Sequence, residues 1–428
     1  MYKASIYNNY FLDGEKTYIW NSFTGALASF EQDTLHLLDQ DVITEGESPF
    51  IDMLLHNGYI VDQNADEYQY VCDRSEEHLT NGTPERLNYV IAPTMACNYK
   101  CVYCFENGRQ SFQSMTEKVA SDILRFILQE MDKHNSLKEV HITWFGGEPL
   151  LQQERIKEIS YPLINECVKR GVNYGASIIT NGRYLTAETA KLLAAVRVNK
   201  VQISFDGTEK IYCEKKVATP EDYRTTLENI RAAAEYLHQI IVRINVGEDN
   251  AKDVYKLADI LLGEYCLAGK IRLCPAFTVE GAKDERPAKY RRFAEFEKQF
   301  KQYVLRTYGA SSYDERIPHA RGCVCNMACR GSFCIGPKGE LYKCEHHFGR
   351  KEYEVGDIYG AVDEMRRNAY DDLSRKTLQR EACKSCPVFP VCMGGCPNST
   401  AEDTLNFDCD SYRKRMVEQA VLPRVRKR

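Results

Sequence analysis

Met95-Ala96-Cys97-Asn98-Tyr99-Lys100-Cys101-Val102-Tyr103-Cys104-Phe105 places three thiols in eight residues, spaced Cys-x3-Cys-x2-Cys with an aromatic directly before the third. The run leading into it, Tyr89-Val90-Ile91-Ala92-Pro93-Thr94, is short and apolar and reads as a buried strand. Three thiolates can hold three irons of a cubane iron–sulfur cluster and leave the fourth iron without a protein ligand. That open iron is a Lewis-acidic, redox-active coordination site, which a four-cysteine electron carrier lacks. A zinc loop is the alternative, but zinc prefers paired Cys-x2-Cys units and needs a fourth ligand.

Working outward, the chain has 428 residues, room for two to four domains, with a globular balance of 43% hydrophobic and 27% charged residues. No run of about twenty apolar residues is present, so no membrane-spanning helix is expected. The start, Met1-Tyr2-Lys3-Ala4-Ser5, lacks the apolar core of a secretory signal. A net charge of −5 argues against broad nucleic-acid binding, and the short basic tail Arg424–Arg428 reads as a solvated end. Eighteen cysteines without a signal peptide point to metal rather than disulfides, and to a reducing, oxygen-poor cytoplasm. Cys72, Cys167, Cys213, Cys266 and Cys274 are scattered singly and read as small buried hydrophobes.

Three regions are expected. In residues 1–86, Ala4–Phe11 and Thr17–Trp20 read as strands around Asp13-Gly14. Helices near Glu31–Asp39 and Phe50–Asn57, then a strand at Gly58–Asp62, complete a small winged-helix-like module, with Asp73–Pro84 as the linker out of it. Residues 87–310 alternate strand and helix. The strands are Tyr89–Thr94, Glu139–Trp144, Ala176–Thr180, Lys200–Phe205, Ile240–Val246 and Ile271–Pro275; helices Glu117–His134, Gln152–Arg170, Ala187–Ala195, Glu221–His238, Ala251–Leu262 and Lys289–Tyr308 follow them. Six βα units imply an α/β fold with a parallel sheet that falls short of an eight-stranded barrel, a partial (β/α)6 barrel with its active site at the C-terminal strand ends. In residues 311–428 regular structure is expected to thin, with metal holding together a cysteine-rich domain.

Further motifs fall at successive strand ends. Trp144-Phe145-Gly146-Gly147-Glu148-Pro149 follows the second strand, Thr180-Asn181-Gly182 the third and Ser204-Phe205-Asp206-Gly207 the fourth, while Arg243 lies on the fifth. Each dipeptide alone reads as an ordinary turn; their succession behind the three-thiol loop is the signal. Together they resemble the radical SAM superfamily. The resemblance implies that Cys97, Cys101 and Cys104 hold a 4Fe–4S cluster whose open iron chelates S-adenosylmethionine, from which a 5′-deoxyadenosyl radical is made. It also implies that Gly146, Gly147 and Glu148 face the methionine amino group, Thr180, Asn181, Ser204 and Asp206 the ribose and carboxylate, Arg243 the carboxylate, and Tyr103 the adenine.

The C-terminal array Cys383-x2-Cys386-x5-Cys392-x3-Cys396-x12-Cys409, behind Gly339-x4-Cys344 with Cys323 and Cys329 upstream, is similar to the SPASM domain and its two auxiliary 4Fe–4S clusters. By that resemblance Cys323, Cys329, Cys344 and Cys396 hold the inner cluster and Cys383, Cys386, Cys392 and Cys409 the outer one, three clusters in all. Two zinc ribbons would use the same number of thiols. Cys325 and Cys334 depart from the pattern and leave the inner ligands open among Cys323, Cys325, Cys329 and Cys334. Glu345, beside Cys344, takes the place of an acidic base in sulfatase-maturing relatives; a structural Glu is the other reading. The N-terminal module resembles the precursor recognition element that pairs a leader peptide against a strand edge. The whole resembles the sactipeptide and ranthipeptide maturases, which implies a radical-mediated cross-link, a cysteine thioether, in a ribosomally made precursor peptide. It also implies a small reductant protein, flavodoxin or ferredoxin. A sulfatase maturase forming formylglycine and a multi-cluster electron carrier are the alternatives.

Overall fold

The computed structural model describes residues 1–44, 49–80, 85–106, 113–278, 285–325, 328–398 and 408–425. The N-terminal elements are β1 (Tyr2–Ala4), β2 (Asn8–Asp13), β3 (Lys16–Asn21), β4 (Leu27–Phe30), α1 (Gln32–Leu38), α2 (Pro49–His56), β5 (Ile60–Asp62) and α3 (Glu67–Thr80). β2, β3 and β4 form an antiparallel sheet and β1 pairs with β5. Gly14, at φ +62°, supplies the left-handed turn that closes the β2–β3 hairpin. The strand expected over Ala4–Phe11 is broken in two, because the Asn8 amide turns back onto the Ser5 carbonyl at 3.2 Å.

The expected linker Asp73–Pro84 is corrected. Through Thr80 it belongs to α3, which buries Val71, Ser75 and Leu79 four residues apart; 81–84 lie outside the described residues. So thin an apolar stripe, with a serine in it, carries little helical signal in sequence.

Six parallel strands follow in spatial order: β6 (Arg86–Ile91), β7 (Glu139–Trp144), β8 (Asn173–Thr180), β9 (Val198–Ser204), β10 (Ile240–Val246) and β11 (Ile271–Phe277). Between and after them run α4 (Glu117–Asp132), α5 (Gln153–Lys169), α6 (Ala187–Ala195), α7 (Glu209–Lys216), α8 (Pro220–Ala233), α9 (Asp253–Ala258) and α10 (Arg286–Tyr308). Ile142, Trp144, Ile178, Val201, Ile203 and Val242 are fully buried between sheet and helices. This is the partial barrel expected from the βα repeat: among the described residues β11 has β10 as its sole strand neighbour beyond isolated bridges, so the sheet does not close on β6.

The other side of β6 is taken by β12 (Phe333–Ile335), parallel to it, followed by antiparallel β13 (Glu340–Tyr342) and β14 (Gly356–Asp357), making nine strands in one sheet. Among the described residues, the α-helices α11 (Glu364–Leu378), α12 (Phe389–Cys392) and α13 (Cys409–Val425) follow. The expectation that regular structure thins after Ala310 is therefore corrected, since two of these helices run 15 and 17 residues. α13 returns to the N-terminal sheet, where Trp20 shares a core with Val388, Val391, Met416, Val417, Ala420 and Val421. Asn9 Nδ2 and Ser22 Oγ both donate to the Pro387 carbonyl, at 3.0 and 2.6 Å. Among the described residues no helix is long and apolar enough to cross a membrane.

Candidate active site

The three-thiol loop leaves β6 at the C-terminal edge of the barrel and is held there by the Gly-Gly turn after β7. Gly146 sits at φ +99°, and a Cβ on it would come 2.5 Å from the Thr94 carbonyl oxygen. The Gly147 amide donates to that oxygen at 3.1 Å, and the Glu148 amide to the Ala96 oxygen at 2.9 Å. The glycines thus let two backbones touch immediately before Cys97.

Glu148 is fully buried. One carboxylate oxygen accepts from Leu150 N at 3.0 Å and Thr180 Oγ1 at 2.7 Å, and the other from Asn181 N at 2.8 Å. Burial raises its pKa, and these three donors oppose the rise. Glu148 thereby ties the second strand end to the third. Asn181 in turn donates through Nδ2 to Asn98 Oδ1 at 2.8 Å and lies 3.9 Å from Cys97 Sγ, so three of the sequence motifs converge on one loop.

A second network gathers Tyr103, Ser204, Asp206 and Arg243 around a residue that sequence reading missed. Lys216 Nζ, completely buried, donates to Ser204 Oγ at 2.9 Å and Tyr103 OH at 3.3 Å and pairs with Asp206 at 3.5 Å. Tyr103 OH also donates to Asp206. Burial works against the ammonium, but Tyr103, Asp206 and Cys101 outweigh it and hold the Lys216 pKa well above its ordinary value. Asp206 accepts from Asn245 N and Nδ2 at 3.1 and 2.9 Å, and Arg243 Nε reaches Asn245 Oδ1 at 3.2 Å. Lys216 had one faint signal: Tyr212, four residues earlier on α7, is buried on the same face.

The thiols fit a cluster that binds one thiolate per iron. Burial pushes the Cys97 thiol up to about 12 against the pull of the Tyr99 amide, and the charges of Cys101 and Cys104 add to the rise. Burial also raises Cys101, and the Lys216 charge lowers it. Three thiols that feel one another's charge, next to a buried cation, suit an anionic cluster better than three free thiols.

In the C-terminal region the Cys392 thiol is pushed up to about 12 by burial and by the neighbouring Cys383, Cys386 and Cys409. Those four share one neighbourhood. Cys344, likewise pushed up to about 12 by burial and by Glu345, also feels Cys325 and Cys396. Cys323 Sγ and Cys329 Sγ lie 3.0 Å apart. Buried Lys343 donates to the carbonyls of Cys329 and Ser332 at 2.6 and 2.8 Å, anchoring that loop beside Cys344. Cys334 instead sits in an apolar core with Ala92, Met95, Tyr342 and Phe348. Glu345 is half-buried in the short turn after Cys344. Among the described residues no three His, Cys, Asp or Glu side chains close round a point as they would about a single ion. Of the scattered cysteines, Cys167 is buried as expected, whereas Cys266 is exposed.

Residues 91–261 match the model of the radical SAM superfamily. A cysteine-type anaerobic sulfatase-maturating enzyme of Clostridium perfringens is 24% identical over 362 residues, which span 77% of this chain and 95% of its own. The solved structure of anSMEcpe with bound AdoMet and Cp18Cys peptide has a TM-score of 0.58 at 20% identity, covering 80% of this chain and 98% of its own. That of Streptococcus suis SuiB bound to precursor peptide SuiA has a TM-score of 0.50 at 17% identity, and covers 96% and 99%.

Proposed function

We propose that this chain, an enzyme carrying a radical SAM domain, installs a cross-link, a cysteine thioether, in a ribosomally made precursor peptide whose leader is held by residues 1–86. The observation that carries the proposal is coverage. The fold likeness to peptide-bound SuiB runs through 96% of the chain, whereas that to anSMEcpe leaves a fifth of it over. Residues 1–86 form the segment assigned to the leader. In that segment β4 pairs with β3 on one side, and among the described residues no strand pairs with its other side. An unpaired edge is what an extended leader peptide can join.

Cys97, Cys101 and Cys104 would hold the cluster that binds S-adenosylmethionine, and the SPASM-type cysteines two auxiliary clusters. When bound, these supply a hydrogen-abstracting 5′-deoxyadenosyl radical and an acceptor for the electron that remains. The chain's own residues shape the site. Glu148 and Asn181 brace the thiol loop, and Tyr103, Ser204, Asp206, Arg243 and Lys216 form a polar wall beside it. Glu345 accepts the proton of the substrate thiol as the carbon–sulfur bond forms. A flavodoxin or ferredoxin supplies the starting electron, in the cytoplasm.

Formylglycine formation is the second reading, favoured by the 77% span shared with the C. perfringens enzyme. One incubation separates the two. The reconstituted enzyme, reductant and S-adenosylmethionine are given any short cysteine-rich peptide whose reading frame neighbours the gene, and separately a cysteine-bearing sulfatase peptide. Loss of two hydrogens per link from the first supports cross-linking; thiol-to-aldehyde exchange in the second alone overturns it.

A further inference from the structure

The short turn after Cys344 carries two rings that reach across to the radical site. His346 stacks on Phe105 with ring centres 4.2 Å apart and planes 27° apart. Phe105 in turn lies parallel to Phe145, at 6.1 Å and 13°, and Phe145 faces Phe348 at 6.5 Å and 26°. Phe105 directly follows Cys104, and Phe145 directly precedes the Gly-Gly turn that braces the thiol loop. His346 and Phe348 therefore act as two jaws, two residues apart on one turn, closed on one ring from each loop of the radical site. The turn itself is fixed from behind, where His347 stacks on Tyr353 at 4.0 Å and its Nδ1 lies 3.0 Å from Tyr370 OH.

We propose that this four-ring clamp is the device that registers the inner auxiliary site against the radical site, with His346 as its positioning residue. In the sheet, Cys344 follows β13, which is joined to β6 through β12, whereas the clamp joins the two loops themselves. Aromatic pairs of this kind contribute modestly beyond their burial. That is enough to set a distance without being needed for folding. Phe348 is completely buried and belongs to a core, but His346 is exposed, so its ring can be removed without opening a cavity. The functional consequence rests on the peptide reading above: a peptide lying between the two sites meets both in one pose, and a substrate carbon activated at the first is presented to the second before it is quenched.

The test uses His346→Ala and His346→Phe in the full-length, cluster-loaded enzyme, with iron content measured to show equal loading. The first readout is product formed per deoxyadenosine released, with the cysteine-rich peptide that the parent enzyme links in the incubation above. Alanine should lower that ratio several-fold, and phenylalanine, which keeps a stacking ring without imidazole nitrogens, should restore it. The second readout needs no peptide. Pulsed electron paramagnetic resonance reads the dipolar coupling between the reduced clusters, which alanine should broaden and phenylalanine should sharpen again. An unchanged dipolar spectrum in His346→Ala overturns the clamp, as does a His346→Phe variant as impaired as alanine in either readout. A parent enzyme that links no peptide ends the peptide reading instead, and the dipolar spectra still decide the clamp.

Discussion

A Cβ added to Gly147 would stand 2.2 Å from the carbonyl oxygen of Ala96, the residue before Cys97. Backbone cannot rotate out of the way as a side chain can. Gly147→Ala should therefore push the thiol loop off its brace and behave like Cys97→Ala, Cys101→Ala or Cys104→Ala. Iron should fall by about one cluster of three, and reductive cleavage of S-adenosylmethionine should stop. Gly360→Ala, whose Cβ would meet only Asp357 Oδ1 at 3.5 Å, is the control. A Gly147→Ala enzyme with full iron and normal deoxyadenosine release would show that the loop does not depend on this approach.

How much of this was legible beforehand varies with the range of the interaction. β7 and β10 fall on the residues expected, because a β-branched, apolar run buried on alternate or both faces is a local signal. Alternation of such runs with helices was enough to imply a parallel sheet that stops short of a closed barrel. α7 was not expected: it is eight residues rich in Glu and Lys, and only its burial of Tyr212 and Lys216 explains it. The hydrogen bonds of Glu148 to Thr180 and Asn181 join residues more than thirty apart, and that of Asn9 to Pro387 spans 378 positions. Pairings of that range leave no periodicity to read. The four-ring clamp is of the same kind, since Phe105, Phe145, His346 and Phe348 are individually unremarkable in sequence.

Lys216 and Asp206 are both fully enclosed, so removing one charge strands the other. Breaking a buried pair this way costs roughly 3–5 kcal/mol. Lys216→Met should lower the unfolding midpoint of the barrel by on the order of 10 °C and weaken S-adenosylmethionine binding. Combining it with Asp206→Asn should cost less than the two single changes summed, because the double variant leaves no lone charge behind. Calorimetry on the three variants decides it; strictly additive losses would mean that the pair is not coupled.

The leader-binding proposal places a peptide strand on the free edge of β4. Deleting residues 1–86 is a poor test, because it would bare the core that Trp20 shares with α13. Hydrogen exchange is a better one. A synthetic leader segment at saturating concentration should slow amide exchange in Leu27–Phe30 while leaving β7 and β8 unchanged. If binding is detected calorimetrically but the amides of 27–30 exchange at the free rate, the leader docks elsewhere.

Glu345 is the residue whose role is most open to a clean substitution. It follows Cys344 directly, its charge contributes to the rise of that thiol, and it shares its turn with His346. Glu345→Gln keeps the shape and much of the hydrogen bonding but cannot take up a proton near neutral pH. A general base contributes on the order of 10²–10⁴ in rate. Product formation should fall by that factor, while deoxyadenosine release without peptide stays at the parent level and iron content is unchanged. Cys344→Ala should differ in kind, losing auxiliary iron as well as product. Should Glu345→Gln form product within a few-fold of the parent, the carboxylate is structural, and the thiol proton leaves to solvent or to a group on the peptide itself.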